Sequence, residues 1–465
     1  MSPPIAPVGL DYIASAVRKA DIEVELLDLC LADNPDEAIS DYFLNNNPEL
    51  IGVAFRNADD CFWPSADWFV PDLKNTIEKI QVVTDSPIVL GGIGFSIFPR
   101  TIFEYTGVDF GIRGDGETSI VELVRQLQGS RNFAEVPGLI WRENNQVFEN
   151  SPCWPDSISL GTERNFVDNL TYFNRGGQCG IETFRGCNRN CSYCADPLAK
   201  GTKLRLRNPS EVADEIQSLL SQGVNVLHIC DSEFNLSRNH AIEVCEEIIR
   251  RSLGDKVRWY TYMSPAPFDE ELAGKVAQAG CTGIDFTGDS ASELMLRTYN
   301  QRHSKEDLAA GVKLCRENGI AVMIDLLLGG PGETPETVKE TIDFIKEINP
   351  DCAGAALGMR IYPRTFMERY VTELVQRGNY SAIRRKYTGP LNLLMPTFYI
   401  SEKLGEKPAE LVKDFINGDK RFFEPAGEDT ADYNYNDNTP LTKAIEDGAR
   451  GAYWHILNRL HQAIE

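Results

Sequence analysis

Three closely spaced cysteines carry the clearest chemistry in this chain: Glu182-Thr-Phe-Arg-Gly-Cys187-Asn-Arg-Asn-Cys191-Ser-Tyr-Cys194-Ala-Asp-Pro-Leu198. The spacing is Cys-x3-Cys-x2-Cys, just after an apolar stretch that reads as a strand end. A closed iron–sulfur cube needs a thiolate on each iron. Three cysteines with no local fourth leave one iron open, and open coordination separates a catalytic metal site from a structural one. A zinc site and ordinary buried cysteines are the competing readings. Zinc would want a fourth Cys or His nearby, yet the first of the five histidines is His228. Metal softness and ligand count favour iron–sulfur.

A loop of this kind needs a scaffold, and the pattern from about 176 to 370 supplies one. Val226–Cys230, Val257–Tyr262, Gly283–Thr287, Ile320–Leu328 and Gly354–Ile361 read as successive strands. Helices are predicted between them at Pro209–Gln222, Asn239–Ser252, Asp269–Ala279 and Lys305–Asn318, several ending near glycine. Alternation of this sort predicts a parallel barrel, open or closed, with its reactive face at the strand carboxyl ends.

The front part, residues 1–135, alternates in the same way. A helix at Tyr12–Lys19 precedes strands at Ile22–Leu29, Leu50–Phe55, Pro87–Gly92 and Val108–Gly114. This predicts a doubly wound, Rossmann-like parallel sheet. Ligands gather at the carboxyl ends of such strands. There the chain has Arg56-Asn57, Gly91-Gly92-Ile93-Gly94 and Gly114-Asp115-Gly116-Glu117. Residues 136–175 read as a connecting segment that carries a hairpin over Val136–Val147, with its turn at Glu143–Gln146. Residues 176–385 form the barrel and 386–465 a small, mainly helical carboxy-terminal domain. In the latter, Leu391–Ile400 is apolar, Asp432–Asp437 turn-like and Leu441–Ile464 an amphipathic helix.

The cysteine spacing, with aromatic Tyr193 before the last cysteine, resembles the radical S-adenosylmethionine enzymes. The resemblance implies a partial (β/α)6 barrel and a [4Fe-4S] cluster on Cys187, Cys191 and Cys194. The methionine moiety of S-adenosylmethionine would chelate the open iron. Tyr193 would lie against the adenine, Asp231 and Glu233 near polar groups of cofactor or substrate, and Asp289 and Ser290 at the ribose. Gly330 and Glu333, in Gly329-Gly-Pro-Gly-Glu-Thr334, would sit near the methionyl end. Glu233 and Ser290 are the strongest candidates among these. Each position also has a plain alternative in turn formation or helix capping.

Pro4-Ile-Ala-Pro-Val-Gly-Leu-Asp-Tyr-Ile, Val89-Leu-Gly-Gly and Gly114-Asp-Gly-Glu together look like the cobalamin-binding domain that precedes many such modules. Gly358-Met-Arg-Ile-Tyr-Pro363 is similar to a strand of cobalamin-dependent members, and Arg56–Asp60 to a segment of tryptophan methylase relatives. Cobalamin is then implied over Arg56, Asn57, Gly91, Gly92, Ile93, Gly94, Gly114 and Glu117. No histidine precedes His228, so this domain offers cobalt no imidazole. Its first βα unit is short, because the chain starts almost at the prolines.

Composition bounds the rest. A formal charge of −23 over 465 residues argues against nucleic-acid and anionic-membrane surfaces. No run is long and apolar enough to span a bilayer, and the amino terminus lacks an export pattern. Twelve cysteines without secretion features suit a reducing, cytoplasmic setting. The favoured reading is a cobalamin-dependent radical methyltransferase acting on a small-molecule or peptide acceptor, served by an electron donor such as flavodoxin or ferredoxin. The alternative is a radical oxidoreductase or cyclase whose front domain transfers no methyl group. A non-catalytic cluster holder is the third reading. No catalytic acid, base or nucleophile is singled out.

Overall fold

The computed structural model describes residues 2–425 and 435–463. In the front part β1 (Ile51–Ala54), β2 (Ile88–Gly91) and β3 (Phe110–Ile112) run parallel. Alternation along β2 makes the sheet two-sided. Ile88 and Leu90 join one apolar layer with Val70, Ile77 and Phe103, while Val89 joins Val17, Leu123 and Leu139 on the other face. Helices Val8–Lys19 and Glu117–Gln128 pack together, as do Val70–Val83 and Pro99–Thr106. This is the doubly wound arrangement.

Two expectations here need correction. The hairpin, β4 (Leu139–Glu143) and β5 (Gln146–Glu149), is no part of a connecting segment. It extends the front sheet, with Ile140 and Trp141 opposite Gly111 and Phe110. Its turn is Asn144-Asn145, both at positive φ (49° and 62°), the twist that suits a two-residue hairpin. Residues 22–29 do not form a strand. The alternation is real, with Ile22 and Val24 half-buried and Glu23 and Glu25 exposed, but no backbone ladder joins the segment to the edge strand β1.

Beyond it lie β6 (Cys179–Ile181) and a two-stranded ribbon, β7 (Phe184–Arg185) with β8 (Arg205–Leu206). Then come β9 (Val226–Ile229), β10 (Arg258–Met263), β11 (Cys281–Asp289), β12 (Ala321–Leu328) and β13 (Cys352–Leu357). A small sheet of β14 (Met359–Arg360), β15 (Ile383–Arg384) and β16 (Phe398–Tyr399) follows, and β17 (Phe422–Phe423) comes last. The large sheet has the order β17-β13-β12-β11-β10-β9-β6, all parallel, so the barrel is open between β6 and β17. The six expected strands are present, and β17 adds a seventh.

Helices close the outside. Thr334 caps helix Pro335–Ile348 by accepting from the Thr337 N–H, a contact worth about 1 kcal/mol. The carboxy-terminal residues are largely helical, and Val412, Ile416, Leu441, Ile445 and Trp454 join the barrel's own apolar core. The single helix expected at Leu441–Ile464 is instead two, Thr439–Glu446 and Tyr453–Ala463. Gly448 and Gly451 at positive φ (99° and 148°) turn the chain between them. Ile464 and the first half of Asp432–Asp437, residues 432–434, lie outside the described residues. No helix among the described residues is long and apolar enough to cross a membrane.

Candidate functional site

The cysteine loop leaves the ribbon strand β7 through Gly186, whose φ of +99° favours glycine. A Cβ there would lie 2.0 Å from the Lys203 carbonyl oxygen, so the close approach also demands glycine. The loop is pinned at several points. Cys187 N–H donates to Gly201 O (3.0 Å), Ser192 N–H to Tyr299 O (3.0 Å), and Met367 N–H to Ser192 O (3.1 Å). Burial pushes the free thiols up, Cys187 to about 11 and Cys191 to about 12, so a metal must displace their protons. Among the described residues, no three Cys, His, Asp or Glu side chains converge on one ion position. A mononuclear zinc site requires such convergence. A cube, which takes each thiolate on a different iron, does not.

Around the loop the barrel's strand ends supply polar groups. Tyr193 O–H donates to Asp289 Oδ2 (2.6 Å), and Gln301 Nε2 donates to the same carboxylate, to Tyr193 Oη (3.2 Å) and to Cys191 Sγ (3.6 Å). Asp289 sits at positive φ (56°) at the end of β11, and burial pushes it up to about 7. Glu233 accepts from Thr287 Oγ1 and lies 3.8 Å from Arg189 Nε, a residue of the cysteine loop itself. Tyr193, Glu233 and Asp289 are thus brought together beside the cysteines.

The other expected S-adenosylmethionine residues are not brought to the mouth. Ser290 is fully buried; its hydroxyl pairs with Thr341 Oγ1 (2.8 Å) and accepts from Ser292 N–H (3.1 Å). Asp231 accepts from the N–H groups of Thr183 (2.8 Å) and Phe184 (3.3 Å), which fixes the chain leading to the ribbon. Glu333 is buried and accepts from Gly329 N–H, Gly330 N–H (3.0 Å) and Tyr299 O–H (3.3 Å). These groups fold the loops behind Tyr299, whose ring meets Tyr193 edge-on at 6.0 Å. Through these bonds they shape the loops around the site, and Glu333 Oε1 is left without a hydrogen-bond partner.

The front strand ends lie against this mouth. Helix Ile93–Ile97 packs on helix Asp196–Lys200, which follows the cysteine loop. Arg185, two residues before Cys187, reaches Glu117 (2.9 Å), Asp115 (3.4 Å) and Glu182 (2.8 Å), and Arg205 is bidentate to Asp115 (3.1 Å each). Burial alone would push Glu117 up, but Arg185 holds its carboxyl below the usual range. Glu117 is therefore an interdomain ion-pair partner, not a group facing a ligand. Arg56, Asn57, Gly92 and Ile93 remain exposed at the strand ends, next to exposed Gly52 and Ala54 on β1. Gly92 has a φ of +102°, and a Cβ on it would lie 2.5 Å from Phe55 O; a Cβ on Gly52 would meet nothing within 4 Å. A flat, side-chain-poor surface of this kind suits a large planar ligand. Gly91, Gly94 and Gly114 complete its border, Gly94 N–H donating to Phe55 O (3.1 Å) and Gly114 N–H to Ser96 Oγ (3.0 Å).

Sequence reading missed Arg185, Arg189, Thr287 and Gln301. Arg185 precedes the cysteines and Arg189 lies between two of them, so both could have been found as the cations nearest the motif. Gln301 carries no sequence signal.

The charge of Arg56 reaches into the barrel. Burial, then that charge, holds the His228 ring at about 4 against an ordinary 6.5. Between those pH values the unfolded chain binds more protons at this residue than the folded one. Acidification through that window therefore costs stability, and the full contribution returns above pH 6.5. Between pH 7.5 and 5.5 the wild type should lose about 1 kcal/mol more than His228→Asn in urea unfolding. Equal losses would contradict the neutral, buried imidazole.

Two family models match the chain, the radical SAM superfamily over residues 181–345 and the B12 binding domain over residues 3–124. The tryptophan 2-C-methyltransferase of Streptomyces laurentii is 32% identical over 435 residues, covering 80% of this chain and 73% of that protein. The structure of the radical S-adenosylmethionine methyltransferase TsrM from Kitasatospora setae, with tryptophan and an S-adenosylmethionine analogue bound, superposes with a TM-score of 0.93 at 32% identity. It covers 99% of this chain and 96% of that one. A second TsrM structure, with cobalamin and a [4Fe-4S] cluster bound, gives 0.89 at 30% identity, covering 100% and 97%. With both domains matched along nearly the full length, the chain belongs to the cobalamin-dependent radical S-adenosylmethionine methyltransferases.

Proposed function

We propose that this methyltransferase transfers a methyl group from S-adenosylmethionine to a carbon of a small aromatic acceptor, with L-tryptophan the first candidate. The observation that carries the reading is the end-to-end likeness to a tryptophan-bound methyltransferase, at a TM-score of 0.93. The site's geometry supports it, because helix Ile93–Ile97 at the front strand ends packs on helix Asp196–Lys200, which follows the cysteine loop. Cys187, Cys191 and Cys194 would hold the [4Fe-4S] cluster. Tyr193, Glu233 and Asp289, with Gln301 and Arg189, would flank S-adenosylmethionine. Arg56, Asn57, Gly91–Gly94 and Gly114 would border cobalamin. When bound, the cluster supplies an open iron and an electron, and cobalamin supplies a methyl carrier. Around these groups the chain's own residues orient and exclude water. The apolar segment Leu391–Ile400 helps, sending Leu394 into the front core and Ile400 into the barrel core. We place the enzyme in the cytoplasm, where a flavodoxin or ferredoxin would reduce it.

The test is anaerobic incubation of the reconstituted protein with L-tryptophan and methyl-labelled S-adenosylmethionine. A labelled C-methyl product is expected. Cobalamin uptake with no methylation of tryptophan would overturn the choice of acceptor.

A further inference from the structure

A side chain far from the cysteine motif in sequence is built against one of its sulfurs. Helix Glu293–Tyr299 stops at Asn300, whose φ of +59° turns the chain, and Gln301 N–H closes the turn on Leu296 O (2.9 Å). Three successive residues at this turn then hold three successive residues of the loop. Asn300 Nδ2 donates to Asn190 O (2.7 Å), and Gln301 Nε2 donates to Cys191 Sγ (3.6 Å). Tyr299 O accepts from Ser192 N–H (3.0 Å). Gln301 is therefore placed by backbone bonds on either side of it.

Its amide nitrogen is fixed as well. It donates to Asp289 Oδ2 and reaches Tyr193 Oη at 3.2 Å, while Tyr193 O–H itself donates to Asp289 (2.6 Å). One amide hydrogen thus serves the carboxylate, and the other is shared between Tyr193 Oη and Cys191 Sγ. As a cluster ligand the sulfur is a thiolate, and a hydrogen bond to an ionised acceptor is the stronger kind. Cys194 Sγ also accepts a hydrogen bond, from Asp196 N–H at 3.5 Å. That donor is main chain and is common to any residue at the position. The donor to Cys191 depends on a side chain 110 positions away.

We propose that Gln301 is a positioning residue that sets the reduction potential of the cluster through Cys191. This rests on the cluster assignment above. Taking up one electron from a protein donor adds one negative charge to the cluster and its thiolates, and no bond to Gln301 breaks. A donor aimed at a sulfur stabilises the more negative form more, so it raises the potential. Glutamine suits the position because it gives hydrogens to the carboxylate and the thiolate at once. A glutamate of the same shape would set an acceptor against both.

Redox titration of the reconstituted holoenzyme, followed by electron paramagnetic resonance of the reduced cluster, tests this without acceptor or turnover. At a fixed ambient potential Gln301→Leu should lower the ratio of reduced to oxidised cluster about fivefold. Gln301→Glu should lower it at least as much, with iron content unchanged. A packing role alone would spare the isosteric Gln301→Glu variant. An unchanged ratio in that variant, or a raised ratio in either, would overturn the proposal. The wild type supplies a second test that stands even if a variant folds poorly. With its glutamine side chains labelled with heavy nitrogen, pulsed electron paramagnetic resonance should detect a weak nitrogen coupling to the reduced cluster. No such coupling would overturn the contact. Failure to methylate tryptophan would leave both measurements intact, whereas a wild type that assembles no cluster would refute the cluster assignment and the role of Gln301 with it.

Discussion

Alanine at any one of Cys187, Cys191 or Cys194 should abolish S-adenosylmethionine cleavage and sharply lower bound iron after anaerobic reconstitution. Each thiolate would serve a different iron of the proposed cluster, so losing one would leave a second iron without a protein ligand beside the open one. No nearby cysteine can substitute. Cys230 lies at the end of β9, with its Sγ turned to His228 O (3.5 Å), and the remaining cysteines are scattered. Cys245→Ala is the informative control. That side chain is fully buried in the core between helices, so its loss costs some packing but should leave iron content and cleavage intact. Iron and cleavage near wild-type levels in any one of the three loop variants would refute the cluster assignment.

The parts of the molecule legible in the sequence are those set by local pattern. Apolar strands spaced by amphipathic helices predicted the parallel strands β1–β3 and the barrel's parallel sheet, and the cysteine spacing marked the loop at the barrel mouth. What remained hidden depends on contacts distant in sequence. The hairpin β4–β5 has a clear turn, but only its pairing with β3 makes it part of the front sheet. Ile22–Leu29 alternates as a strand would, and nothing local shows that no ladder joins it to β1. Ser290 stands next to Asp289 at a strand end, yet Thr341 on a later helix decides where its hydroxyl points. Glu117 looks like a strand-end ligand until Arg185, from the other domain, claims it. Residue type marked these positions as polar and close to the site. Packing between domains decided which of them face a ligand.

The same dependence on distant contacts sets the second large expected effect. Arg360 donates from Nε and Nη2 to Asp59 Oδ2 (2.9 and 2.8 Å), and also to Ile361 O (2.6 Å) and Leu393 O (2.9 Å). Both charged side chains are almost wholly buried. Asp59 in turn accepts from Cys61 N–H (2.9 Å), so it shapes the loop that follows Arg56 and Asn57. The pair thus holds the border of the front strand ends against the strand that follows β13. Arg360→Met would leave a buried carboxylate facing no cation, at a cost of about 3–5 kcal/mol. Adding Asp59→Asn should recover part of that, because the uncompensated charge is gone. The interaction energy from the double-mutant cycle should therefore be well above the few tenths expected of independent sites. Urea unfolding gives the stabilities, and equilibrium dialysis of cobalamin reports the loop, with weaker retention expected in Arg360→Met. A loss under about 1 kcal/mol with unchanged cobalamin binding would show that the two domains do not rely on this pair, and the assignment of the loop after β1 to cobalamin would lose its support.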